Sequence, residues 1–147
     1  MTLPASFPMS MSQIATELGL SLPLSISHAW VIALAGKSAL PVSFSDLLGQ
    51  TAQPTWSGTP SSDGTFMSMS AAFFHGTAAS VSAPINVLNP ITLSFSVAPN
   101  WSGNIRLTNS STGANVLLTK SNSTTWTGNG VVMRGGVTDN YKLSPSN

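Results

Sequence analysis

A chain of 147 residues with five Lys or Arg and four Asp or Glu holds one ordinary domain, or a small domain with a short helical appendage. The formal net charge is +1, and the basic residues Lys37, Arg106, Lys120, Arg134 and Lys142 are scattered along the chain, which argues against the clustered basic face that nucleic acid requires. Cys is absent, excluding disulfides and thiolate metal sites, and no apolar run approaches the ~20 residues that span a bilayer, so no membrane insertion is expected.

Uncharged polar residues fill the gap: 25 Ser, 15 Thr and 10 Asn make a third of the chain. Hydroxyls and amides do not repel a neighbouring copy as charges do. Much of the surface is therefore expected to be covered in the working state, and the chain to form a homo-oligomer. The opening MTLPASFPM lacks the basic stretch of a secretory signal, so the expectation is a chain that reaches its place by assembly.

Residues 1–8 contain Pro4 and Pro8 and read as an extended arm, with Leu3 and Phe7 as candidate contacts to a neighbour. Ser10 and Gln13 have capping-box spacing, and Gly19 supplies a left-handed stop, which predicts a helix over 11–18. Ser27 is expected to cap a second helix over 28–35, ended by Gly36. Val31, Leu34 and Ala35 form its buried stripe, while Trp30 and Ile32 are apolar on the flanks. A helix of eight residues cannot stand alone. Trp30, Val31, Ile32 and Leu34 are accordingly the candidate protein-interface residues. Ser45 is expected to cap a last turn over 46–48, with Asp46 favourably placed near its N-terminus.

Residues 52–64, rich in Pro, Gly, Ser and Thr, read as a linker between a docking region over 9–51 and a β-domain over 65–147. Beyond it the period becomes two. Strands are predicted at 66–70, 91–97, 105–108 and 116–119. A hairpin is predicted from 124–127 through Asn129-Gly130 to 131–133, and a last strand at 141–143. The fold class expected is mainly β: an antiparallel β-sandwich preceded by short helices.

The segment SQIATELGLS…ISHAWVIALAG…PVSFSDLLGQT resembles a motif of structural proteins of tailed bacteriophages. In that family an S-x-x-N-T-E-L-G helix is followed by a D-x-A-V-R-x-L-A-G helix and a closing G-x-I-S-[MF]-[SN]-D/N-L-x-G-K turn. The match covers about 43 residues from Met9 to Thr51. Ile32 stands where the family carries Arg, Trp30 where it carries Ala, His28 in place of an acidic or amide residue, and Gln50 in place of Lys. The resemblance implies localisation in a virion, with other virion proteins as partners, and no reaction.

Catalytic chemistry has little to draw on. The acids are Glu17, Asp46, Asp63 and Asp139, no two close in sequence; His28 and His75 lack ligand spacing, and no G-x-S-x-G elbow or phosphate loop is present. No cofactor or metal is expected. His28 reads as a helix-start residue and His75 as a strand-end or turn residue. Trp101 and Tyr141 are candidate contacts for a host-surface glycan, because sugars stack on exposed aromatic faces. The sequence thus points to a non-enzymatic virion component, tail-, neck- or fibre-associated. A capsid decoration protein is the first alternative and a host-surface glycan-binding module the second.

Overall fold

The computed structural model describes residues 2–85 and 89–146. Of the expected arm over 1–8 and β-domain over 65–147, Met1, residues 86–88 and Asn147 lie outside the described residues. The chain is mainly β and antiparallel, with three short helices at its N-terminal end among the described residues.

Helix α1 (Met11–Leu18) has the expected bounds. The Ser10 hydroxyl accepts the Gln13 N–H at 3.3 Å, and Gln13 Oε1 accepts the Ser10 N–H at 2.8 Å, so two orphan donors of the first turn are satisfied reciprocally. Gly19 ends the helix at φ 70°. Helix α2 (Ala29–Leu34) is shorter than expected, because His28 rather than Ser27 is the cap: its Nδ1 accepts the Trp30 N–H at 3.1 Å. Helix α3 (Phe44–Leu47) begins one cap earlier, at Ser43, whose N–H is held by Asp46 Oδ2 at 2.9 Å.

The strands are β1 (Thr55–Gly58), β2 (Phe66–Phe73), β3 (Gly76–Ser82), β4 (Ile91–Val97), β5 (Asn104–Asn109), β6 (Asn115–Asn122), β7 (Thr125–Gly128) and β8 (Asp139–Ser146). They form one sheet in the order β1-β8-β5-β6-β7-β4-β3-β2, every neighbouring pair antiparallel. The sandwich expectation is corrected here: in place of two stacked sheets, a single sheet curls until its edge strands nearly meet. At one end of the seam the Phe74 N–H donates to the Thr51 carbonyl at 2.9 Å. At the other, a Cβ built on Gly58 would lie 2.5 Å from Met67 Sδ. Register shifts in β2, β3 and β6 add the local twist that bends the sheet round.

Three local expectations are also corrected. The segment 52–64 is not a structureless linker: it carries β1, which pairs with β8, and its Ala52 is fully buried. Strand β3 went unforeseen. It turns back from β2 through Phe74 and His75, both at positive φ (45° and 67°). Residues 131–133 are not a strand, although Val132 and Met133 are buried. β7 instead pairs with β6 and β4, and the β6–β7 turn is set by Asn122, whose Oδ1 accepts the Thr124 N–H at 2.9 Å.

Alternate residues of the strands point inward: Ile91, Leu93 and Phe95 from β4, Ile105 and Leu107 from β5, Trp126 from β7, Tyr141 and Leu143 from β8. Ile14, Leu18, Val31, Leu34 and Leu47 of the helices join the same continuous apolar core.

Candidate functional site

The region expected to dock outward is fastened first to its own barrel, by polar clamps on the helix ends. Glu17 is fully buried, and its Oε1 accepts the Ala52 N–H at 2.6 Å and the Gln53 N–H at 2.9 Å. Gln53 Nε2 returns the contact, donating at 2.8 Å to the Glu17 carbonyl at the open end of α1 and at 3.2 Å to the Thr16 carbonyl, which also accepts the Gly19 N–H. Burial pushes the Glu17 carboxyl above its usual range, and the two backbone N–H groups partly counter this.

The end of α2 is held similarly. His75, in the tight β2–β3 turn, donates from Nε2 to the Leu34 carbonyl at 2.7 Å, and its ring covers Gly36, where a Cβ would lie 2.9 Å from that nitrogen. Asn100, in the β4–β5 loop, donates from Nδ2 to the Ala33 and Lys37 carbonyls at 2.9 and 3.1 Å. Next to it, Trp101 meets Trp30 edge to face at 5.1 Å and lies against Phe74 at 4.6 Å. His28 and His75 thus sit at a helix start and a turn, as expected.

These contacts decide the fate of the predicted interface residues. Val31, Leu34 and Leu3 are buried within the chain's own core and are not docking residues; the cover that α2 demanded comes from the barrel. The Leu3 N–H also donates to the Gln50 carbonyl at 2.9 Å, so this part of the arm lies on its own chain. Trp30 and Ile32 are half-buried. Phe7 remains 57% exposed, and Leu22 and Leu40, on the connections around α2, are 56% and 53% exposed. Sequence reasoning missed the last two, although each is an apolar residue directly before a proline in a polar connection.

The predicted glycan contacts are corrected as well. Tyr141 is fully buried and stacked on Trp56 at 5.7 Å; Trp101 is 5% exposed, with its ring taken up by Trp30 and Phe74. Neither presents a free aromatic face.

An ion pair between exposed Arg134 and buried Asp139 braces the bend before β8. Asp139 accepts bonds from Arg134 on both oxygens, and Asn109 Nδ2 donates to it at 2.8 Å. Arg134, with Asn109 second, holds the Asp139 carboxyl down at about 2. Asn109 also donates to the Val132 carbonyl at 2.9 Å. Every member has a partner, which is the signature of a structural network.

An open cleft of about 360 Å³ lies between α2 and the β4–β5 loop. Its lining includes the apolar Ile32 and Ala33 and the two lysines Lys37 and Lys120. Among the described residues no group of three or more His, Asp or Glu could hold a metal, and no helix is long and apolar enough to cross a membrane. No known family, curated protein or solved structure matches the chain.

Proposed function

We propose that the chain is a non-enzymatic structural component of a tailed-phage virion, tail-, neck- or fibre-associated, which meets neighbouring proteins through its N-terminal region and presents its β-barrel beyond it. The observation that carries the reading is an exterior almost without charge, with large apolar side chains left in solvent. Phe7, Leu22 and Leu40 of the helical region, and Ile85 and Val131 of the barrel, are each more than half exposed. Five cations and four anions on 147 residues are too few to keep copies apart at high concentration. Such a surface suits a protein that is covered by neighbours. The helical motif of residues 9–51 supports the same reading.

Quantitative mass spectrometry of gradient-purified particles, with imaging of intact virions, tests it. A few to dozens of copies per particle places the chain in tail, neck or fibre; hundreds of copies moves it to the shell as a decoration protein. Absence from purified particles refutes the proposal.

A further inference from the structure

We propose that the cleft between α2 and the β4–β5 loop receives the carboxylate of an acidic side chain on a partner polypeptide. This rests on the reading that the partners are proteins, and names the chemistry of one contact. The fold brings two of the chain's five cations, Lys37 and Lys120, to this lining, and no acid lines it, Asp46 standing outside the lining and pairing with Lys37. Lys120 Nζ is positioned in advance, donating to the Trp101 carbonyl at 3.3 Å and lying 5.4 Å from the centre of the Trp126 ring. It makes no ion pair among the described residues. The Lys37 ammonium is already engaged, 3.2 Å from Asp46 Oδ2 and donating to the Pro41 carbonyl at 3.2 Å, with 40% of its side chain exposed, so Lys120 is the cation left for an incoming carboxylate.

The negative end of α2 does not cancel this charge, because Asn100 and His75 already occupy the Ala33 and Leu34 carbonyls. Ser38 and Ser102 add hydroxyl donors at the rim, while Ala29, Ile32, Ala33 and Pro99 offer aliphatic surface for the stem of a side chain and its neighbour. An acidic sugar fits less well. The ring it would stack on, Trp101, is sealed by Trp30 and Phe74.

The test is an NMR titration of the full-length 15N-labelled chain with acetyl-Leu-Glu-Leu-amide, acetyl-Leu-Gln-Leu-amide and sodium glucuronate at matched ionic strength. The glutamate peptide is expected to shift amides in 29–38 and 99–102 saturably. The glutamine peptide and the Lys120→Gln variant should each weaken binding about fivefold, the upper range for a solvent-exposed ion pair, and Lys120→Arg should restore it. A melting temperature unchanged by Lys120→Gln shows that the loss is not one of folding. Equal binding of the two peptides, no saturable shift, or tighter binding of glucuronate overturns the inference. Because incorporation into particles is measured separately, a silent cleft in a chain that is found in virions overturns this inference alone.

Discussion

Replacing Glu17 with Ala should loosen the joint between helices and barrel more than any other single polar change. Oε1 is the acceptor for two backbone donors, and the Ala52 N–H, in a fully buried residue, has no water to fall back on. Stranding one buried N–H costs about 1–3 kcal/mol, and the partly buried Gln53 N–H adds less. The expected loss is about 2–4 kcal/mol, or roughly 5–15 °C in melting temperature for a chain of this size. Glu17→Gln keeps an acceptor oxygen and removes the cost of burying charge, so it should stay within about 1 kcal/mol of the parent. The two variants also differ in pH dependence. Since burial raises the Glu17 carboxyl, the folded chain binds this proton more tightly than the unfolded chain. This group's contribution is therefore full below the unfolded value of about 4.3 and declines as pH rises through the folded value; in Glu17→Gln that decline disappears. Urea unfolding followed by Trp fluorescence, between pH 4 and 8, reads both effects. A Glu17→Ala variant as stable as the parent would refute the clamp.

Asn100→Ala removes the donor to the Ala33 and Lys37 carbonyls and should cost about 1–2 kcal/mol, with hydrogen exchange accelerated in α2 before the barrel strands. Gly76→Ala should cost about 1–3 kcal/mol in a denaturant titration, because the new methyl would meet the Pro99 backbone nitrogen at 2.5 Å and the Val97 carbonyl oxygen at 2.7 Å, neither of which can swing away. Asp139, held at about 2, contributes stability that is present above its unfolded value near ~3.9 and is lost as pH falls through 2; Asp139→Asn should flatten that acid limb in thermal melts. Changing Phe7, Leu22 and Leu40 together to Ser should leave the melting temperature nearly unchanged, as exposed positions do, yet reduce the chain's incorporation into particles.

What could be read from the sequence was what local chemistry determines. Ser10, Gln13 and Gly19 set the bounds of α1 with no help from the rest of the chain, and the alternation of Ile91, Leu93 and Phe95 specified β4. Strand β1 was illegible because its partner is remote: Trp56 pairs with Tyr141, and the five residues between Pro54 and Pro60 are too few to carry a period. Strand β3 was hidden by small residues and by shifts around Ala78 that break its alternation. The all-round apolar α2 correctly signalled a need for cover. It could not say that Trp101, from a loop far along the chain, meets Trp30 and supplies part of that cover. The cleft had no signature either, since Lys37 and Lys120 become neighbours only when the barrel closes beneath the helices.

That closure has a consequence for life in a crowd. A flat sheet with uncharged edge strands offers its rims to any similar chain, and β1 and β2, the edge strands here, carry no lysine or acid with which to fend off such pairing. Rolling residues 51–58 alongside β2 brings the two rims close to each other, with one backbone hydrogen bond at the Thr51–Phe74 end. A rim that faces its own partner strand leaves less room for a strand of another copy, which favours separate bodies over a continuous ribbon.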